Sequence, residues 1–260
     1  MRILCVLLSL ISAPAFAAPL DQARAAKVVF IGEIHDNPAH HATQAEWVAA
    51  LKPRALVFEM LTPEMAKAAS SVPFTDAAAL AEATHWAESG WPEFAFYAPI
   101  FSAASGAKLY GAAVPRAAAR AAMTKGVVAT FGAEAALFGL DLPFDADLQM
   151  RAEEEQSVAH CNALPPDMLA PMVEVQRLRD AALARSARQA VLETGGPVVV
   201  ITGNGHARRD HAAPAALLVA EPGLPVFALG QSEAGAIFGT FDAVLDAAPA
   251  PREDPCKAFQ

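Results

Sequence analysis

The sequence predicts a single α/β domain built on a mainly parallel central sheet. Three observations carry that expectation. Short runs of β-branched and other apolar residues alternate with longer helical patterns, the rhythm of parallel strands joined by crossover helices. Several of those runs stop at a glycine and are followed at once by polar residues, as happens where a buried strand reaches the carboxyl edge of a sheet. Hydrophobic residues make up 54% of a 260-residue chain, enough to bury a substantial core.

The first seventeen residues stand apart. Arg2, the apolar run from Ile3 to Ile11, and small residues at Ala15 and Ala17 have the form of a secretory signal peptide cleaved before Ala18. The run is well short of the roughly 20 residues a membrane span needs. The expectation is therefore a periplasmic protein without membrane insertion, with residues 18–246 as a single α/β domain and 247–260 as a proline-rich tail. Removing the leader with Cys5 leaves Cys161 and Cys256. An isolated cysteine pair in an oxidising compartment predicts a disulfide that ties the tail to the body. The net charge is −9, which disfavours nucleic acid and anionic membranes as partners.

Taken in order, Val28–Ile31 reads as the first strand, ending at Gly32, where the backbone turns and projects Glu33 and His35 from the strand's carboxyl end. Asn37-Pro38 opens a helix to Leu51 carrying His40, His41, Gln44 and Trp47. Adjacent helical histidines cannot point the same way, so at most one of His40 and His41 belongs to a site. Ala55–Met60 is a second strand, and Glu59 holds the strand-terminal position that Glu33 holds in the first. If these two strands are parallel neighbours the carboxylates converge; otherwise Glu59 is an acid favouring the helix start at Thr62-Pro63-Glu64.

Residues 62–105 are alanine-rich and helical in pieces, broken at Pro73, Gly90-Trp91-Pro92 and Pro99. Aromatics concentrate from Trp86 to Tyr97, either as core or as walls for a flat aromatic ligand. Lys108–Val114 is a third strand, and Pro115 opens a helix with Arg116 near its start. A cation there opposes the helix dipole, so Arg116 is aimed at a ligand or a carboxylate. Asp145–His160 forms an acidic helix, and Asp167–Glu193 a long one with a single buried stripe. Pro197–Ile201 is a fourth strand, Ala207–Val219 a helix, and Leu224–Gly230 and Phe241–Leu245 the last strands.

The chemistry lies in a repeated unit. Gly32 to His35 and Gly203 to His206 are both strand-Gly-x-x-His, far apart in sequence yet able to meet in a sheet. Imidazoles and carboxylates suit a divalent ion, so His35, His206, Glu33 and Glu59, with His41, form a candidate metal set. Such an ion would activate water, leaving Glu33 or Glu59 as a general base in a metal-dependent hydrolase. The other reading is histidines hydrogen-bonded at loop ends. His-Glu-x-x-His, Gly-x-Ser-x-Gly and the glycine-rich phosphate loops are absent.

Gly32-Glu33-Ile34-His35-Asp36-Asn37 with His40-His41 and Gln44, the Gly90-Trp91-Pro92 to Tyr97 stretch, His160-Cys161, Gln176 to Asp180, and Gly203-Asn204-Gly205-His206 together resemble the ChaN-like haem-binding uptake proteins of the Tiki superfamily. The resemblance implies a three-layer fold related to erythromycin esterases, haem as cofactor in iron uptake, and haem bound where two subunits of a homodimer meet. It also implies a tyrosine ligand to haem iron: Tyr97 is the candidate and Tyr110 the alternative, with Trp91 as a wall and Arg116 beside them. The paired Gly-x-x-His units match the metal site of Tiki-type hydrolases. Ala113 stands where the family pattern has an asparagine before Pro115-Arg116.

Overall fold

The computed structural model describes residues 17–254, 256 and 257. The expected leader lies outside them except for Ala17, which opens the Ala17–Ala23 helix. Among the described residues six strands form one sheet, β1 Val28–Ile31, β2 Ala55–Phe58, β3 Lys108–Gly111, β4 Val198–Ile201, β5 Val226–Glu233 and β6 Ala243–Ala247. They lie in the order β3-β2-β4-β1-β5-β6, and every neighbouring pair is parallel. This is the three-layer α/β/α arrangement, and the strand interiors show why. Along β1, β2 and β4 all residues are buried, with Val29, Ile31, Leu56, Phe58, Val199 and Ile201 on one face and Val28, Phe30, Ala55, Val57, Val198 and Val200 on the other. A strand covered on both sides has no polar face to alternate with.

On the first face lie the Pro38–Leu51 helix and the aromatic Phe94–Ala103 helix. On the second lie the 29-residue Pro166–Thr194 helix and the Ala213–Ala220 helix. The chain leaves β1 through the first layer and β4 through the second, although β1 and β4 are side by side. Their connections diverge to opposite faces and open a crevice at the carboxyl ends, the switch point where open α/β sheets bind ligands.

At four points the structure departs from the sequence reading or decides an alternative it left open. β1 and β2 are not neighbours, because β4 lies between them; Glu33 and Glu59 are separated by a strand's width. The third strand ends at Gly111, whose Cα packs so closely on the Leu61 and Thr62 carbonyls that any Cβ would overlap them. The fifth strand runs on to Glu233 through Gln231 and Ser232, both 1% exposed. Gln231 Nε2 donates to Gly32 O at 2.6 Å and to His40 O at 3.1 Å, so polar residues continue a strand that pattern alone would end. The expected Ala207–Val219 helix is two, Asn204–Ala207 and Ala213–Ala220, and between them Arg208 pairs with Asp210 and Glu155. Cys161 and Cys256 form the expected disulfide, with Cα atoms 5.4 Å apart.

Candidate functional site

Glu33 follows the turn at Gly32 and is 2% exposed. Its Oε1 accepts from His35 Nδ1 at 2.7 Å and from the Tyr97 hydroxyl at 2.6 Å. Its Oε2 faces His41 Nδ1 at 3.4 Å, and neither of these buried atoms has a hydrogen-bond partner. His41 is anchored by its other nitrogen, which donates to His35 O at 2.8 Å. His40 turns away: its Nδ1 accepts from Ile34 N at 2.9 Å, beneath the loop. Of the two adjacent histidines, His41 is thus the one on the Glu33 side.

Two strands across, Glu59 Oε2 accepts from Thr202 Oγ1 at 2.7 Å and Gly203 N at 2.8 Å. Its Oε1 lies 3.7 Å from His206 Nε2. His206 Nδ1 donates at 2.7 Å to Asp180 of the long helix. The close approach of His35 to β4 needs a glycine: a Cβ on Gly203 would lie 2.9 Å from His35 Nε2 and 3.7 Å from Glu59 Oε2. Two histidine–carboxylate pairs, Glu33–His35 and Asp180–His206, therefore flank Glu59. Each carboxylate fixes its ring and leaves Nε2 without a hydrogen bond.

The charges follow from these partners. Burial works against ionised His35, but the hydrogen bond to Glu33 and the carboxylate of Glu59 outweigh it and hold the imidazole up at about 9. Burial also works against Glu59, yet the facing His206 and His35 and the Thr202 and Gly203 donors bring it down to about 2. His206 is raised despite burial by Glu59 and Asp180, and burial raises Asp180 against the pull of His206. Burial and then the Glu33 charge push the Tyr97 phenol far up.

A cavity of about 520 Å³ opens at this crevice, lined by His35, Glu59, His206, Trp91, Arg116 and Arg179 among others, within the size range of small-molecule sites. Trp91 stands edge-on to His35 with ring centroids 4.8 Å apart. Tyr97 is not on its wall. It is fully buried behind Glu33, between His41 and Trp86 at 4.4 and 4.7 Å. Tyr110 lies on edge strand β3, its hydroxyl on Glu193 Oε2 at 2.6 Å, and lines an adjoining cavity of about 850 Å³ that shares Thr62 and the 112–115 segment with this one. The expected metal set does not converge: among the described residues no three His, Cys, Asp or Glu side chains are grouped to hold a metal ion. The carboxylates are committed elsewhere, Glu33 Oε1 to His35 and Tyr97 and Glu59 Oε2 to Thr202 and Gly203, while the Nε2 atoms of His35 and His206 stay open. Asp180 and Arg179 fall in the Gln176-to-Asp180 stretch of the resemblance, which gave them no role, and Thr202 went unassigned. Asp180 carried a signal, since it falls three and four residues from buried Arg177 and Ala184, on the buried stripe of its helix.

A family model described as haem-binding uptake, Tiki superfamily, ChaN matches residues 20–217. The chain belongs to this family. Its fold matches the ChaN of Campylobacter jejuni, a structure described by its cofacial haem binding, at 17% identity over 86% of this chain and 89% of that one with a TM-score of 0.64. A type III effector, HopBA1, is similar at 14% identity over 92% and 97% of the two chains, with a TM-score of 0.48. No protein of curated function matches. At these identities the ChaN likeness extends to the fold, and the haem chemistry of this member rests on its own residues. Those residues fit haem in one way and not in another. The cavity joins an aromatic wall, cationic groups and a free imidazole Nε2, whereas neither tyrosine reaches it.

Proposed function

We propose that this chain is a periplasmic haem-binding protein of iron uptake, with haem seated in the cavity at the switch point between β1 and β4. The match of a haem-binding family over residues 20–217 carries the reading, and the cavity beside Trp91 supports it. His35 would hold the iron: Glu33 orients its Nδ1 at 2.7 Å and leaves Nε2 free, and a hydrogen-bonded carboxylate strengthens imidazole as a ligand. Haem supplies the redox-active iron and a planar apolar body for the wall at Trp91. Tyr97 becomes a ligand only after giving up its 2.6 Å bond to Glu33. The metal-dependent hydrolase alternative lacks a three-ligand cluster among the described residues, which ranks it second.

The test is a hemin titration of purified apo-protein read at the Soret band. A saturable shift that Tyr97→Phe keeps and His35→Ala loses is the expected result. An unchanged free-hemin spectrum overturns the haem reading, and loss of the shift in Tyr97→Phe alone moves the iron to the tyrosine. Because the His35 proton must leave before the nitrogen can bind, and that imidazole is held at about 9, hemin affinity should rise from pH 7 to pH 9. The mass of the complex with and without hemin tests the homodimer, and an N-terminus at Ala18 in the periplasmic fraction tests export.

A further inference from the structure

Two guanidinium groups in the cavity have no assigned work. Arg116 enters from the first residue of the Arg116–Lys125 helix and Arg179 from the long helix, and both line the same space as His35, Met60, Trp91 and Leu183. Acids outnumber bases in this chain, 28 to 19, and other arginines have found them: Arg177 pairs with Glu174, Arg188 with Glu221, Arg209 with Asp242, and Arg252 with Glu233 and Asp36. The guanidinium groups of Arg116 and Arg179 make no hydrogen bond or ion pair with any described residue, and Arg179 adds its charge near His206. Arg179 is half-buried, where an unpaired guanidinium loses hydration without recompense. The acid on the same lining, Glu59, is engaged by Thr202 and Gly203 and faces His206, so it leaves both guanidinium groups without a carboxylate partner. Guanidinium forks match carboxylates in shape and charge, and the same lining carries Met60, Trp91 and Leu183 as apolar surface.

We infer that Arg116 and Arg179 grip the carboxylates of a planar apolar ligand, so that the cavity takes iron-free dicarboxylate porphyrins as well as haem. The inference rests on the haem reading for the seat of the ligand but not on iron ligation. It makes recognition a matter of the ligand's acidic edge, with iron an addition to affinity and not its condition.

The experiment titrates the full apo-protein with hemin, with metal-free protoporphyrin IX and with its dimethyl ester, reading quenching of tryptophan fluorescence. Protoporphyrin IX should bind within about tenfold of hemin and the ester at least tenfold more weakly than the diacid, since charge-assisted contacts are lost. Arg116→Gln and Arg179→Gln should each weaken protoporphyrin IX about tenfold or more, with little change in melting temperature, because neither guanidinium has a hydrogen bond or ion pair to lose among the described residues. Arg120→Gln, exposed on the same helix as Arg116, should bind as the parent does. Hemin binding without protoporphyrin IX binding, equal binding of diacid and ester, or parental affinity in both arginine variants overturns the inference and leaves the haem reading standing. Protoporphyrin IX binding without hemin binding does the reverse, and binding of neither overturns both.

Discussion

Glu33 is the residue on which the site's hydrogen bonds turn, because one buried carboxylate orients His35 and holds Tyr97. Removing the phenol donor with Tyr97→Phe leaves a buried carboxylate short of one partner, which should cost about 1–3 kcal/mol in a urea titration. A loss near zero would mean that the 2.6 Å contact contributes nothing to stability. The pH dependence follows from two groups of opposite sense. His35 sits at about 9 folded against 6.5 for the free side chain, so its stabilising effect is complete below pH 6.5 and is lost as the pH climbs through 9. Glu59 sits at about 2 against 4.5, so its effect is present above pH 4.5 and is lost as the pH falls through 2. The thermal midpoint should therefore decline from pH 6.5 to pH 9, and His35→Gln should flatten that limb while leaving the acid limb in place. An alkaline limb unaltered by the variant would remove His35 as its cause.

At the scale of elements, the site exists because the turn after β4 carries no side chain at Gly203, where His35 from the loop after β1 packs against it. Gly203 has φ −64° and ψ 153°, angles open to any residue, so its identity answers to space alone. A Cβ there would lie 2.9 Å from His35 Nε2, and Gly203→Ala should displace the imidazole, destabilise the fold by about 1–3 kcal/mol and weaken hemin binding. Alanine tolerated with parental hemin affinity would show that His35 need not lie against β4. The same elements show what sequence could and could not reveal. β1, β2 and β4 were legible because strands buried on both faces are unbroken apolar runs, and the paired Gly-x-x-His units were legible because both follow such strands. The insertion of β4 between β1 and β2 was not, since lateral order depends on which face each crossover helix takes. Nor was the end of β5, where Gln231 is buried only because it serves the Gly32 and His40 carbonyls across the loop. Tyr97 offered two readings to composition, core or pocket wall. Its orientation was decided by Glu33, 64 positions earlier in the chain.

Across the whole molecule, the C-terminal tail is a strap over the loop that follows β1. Glu233 Oε1 accepts from Asn37 Nδ2 at 2.6 Å and from Ala250 N at 3.1 Å, and Asn37 Nδ2 also donates to Ala248 O at 3.0 Å. Arg252 bridges Glu233 and Asp36 at 2.6 and 2.7 Å, one residue from His35, and the Cys161–Cys256 bond closes the strap. Two kinds of restraint thus hold one segment, and their sizes differ. An ion pair open to water is worth at most about 1 kcal/mol, while the disulfide closes a span of 95 residues, for which lost chain entropy amounts to roughly 4–5 kcal/mol. The covalent link should dominate stability and Arg252 should set position. Cys161→Ser with Cys256→Ser, or the parent in reductant, should lose roughly 4 kcal/mol in a urea titration, against about 1 kcal/mol for Arg252→Gln. Reductant should leave the double variant unchanged. Equal losses for the arginine and cysteine variants would mean that the strap is held by its polar contacts with Asp36, Asn37 and Glu233, and that the disulfide forms on a tail already in place.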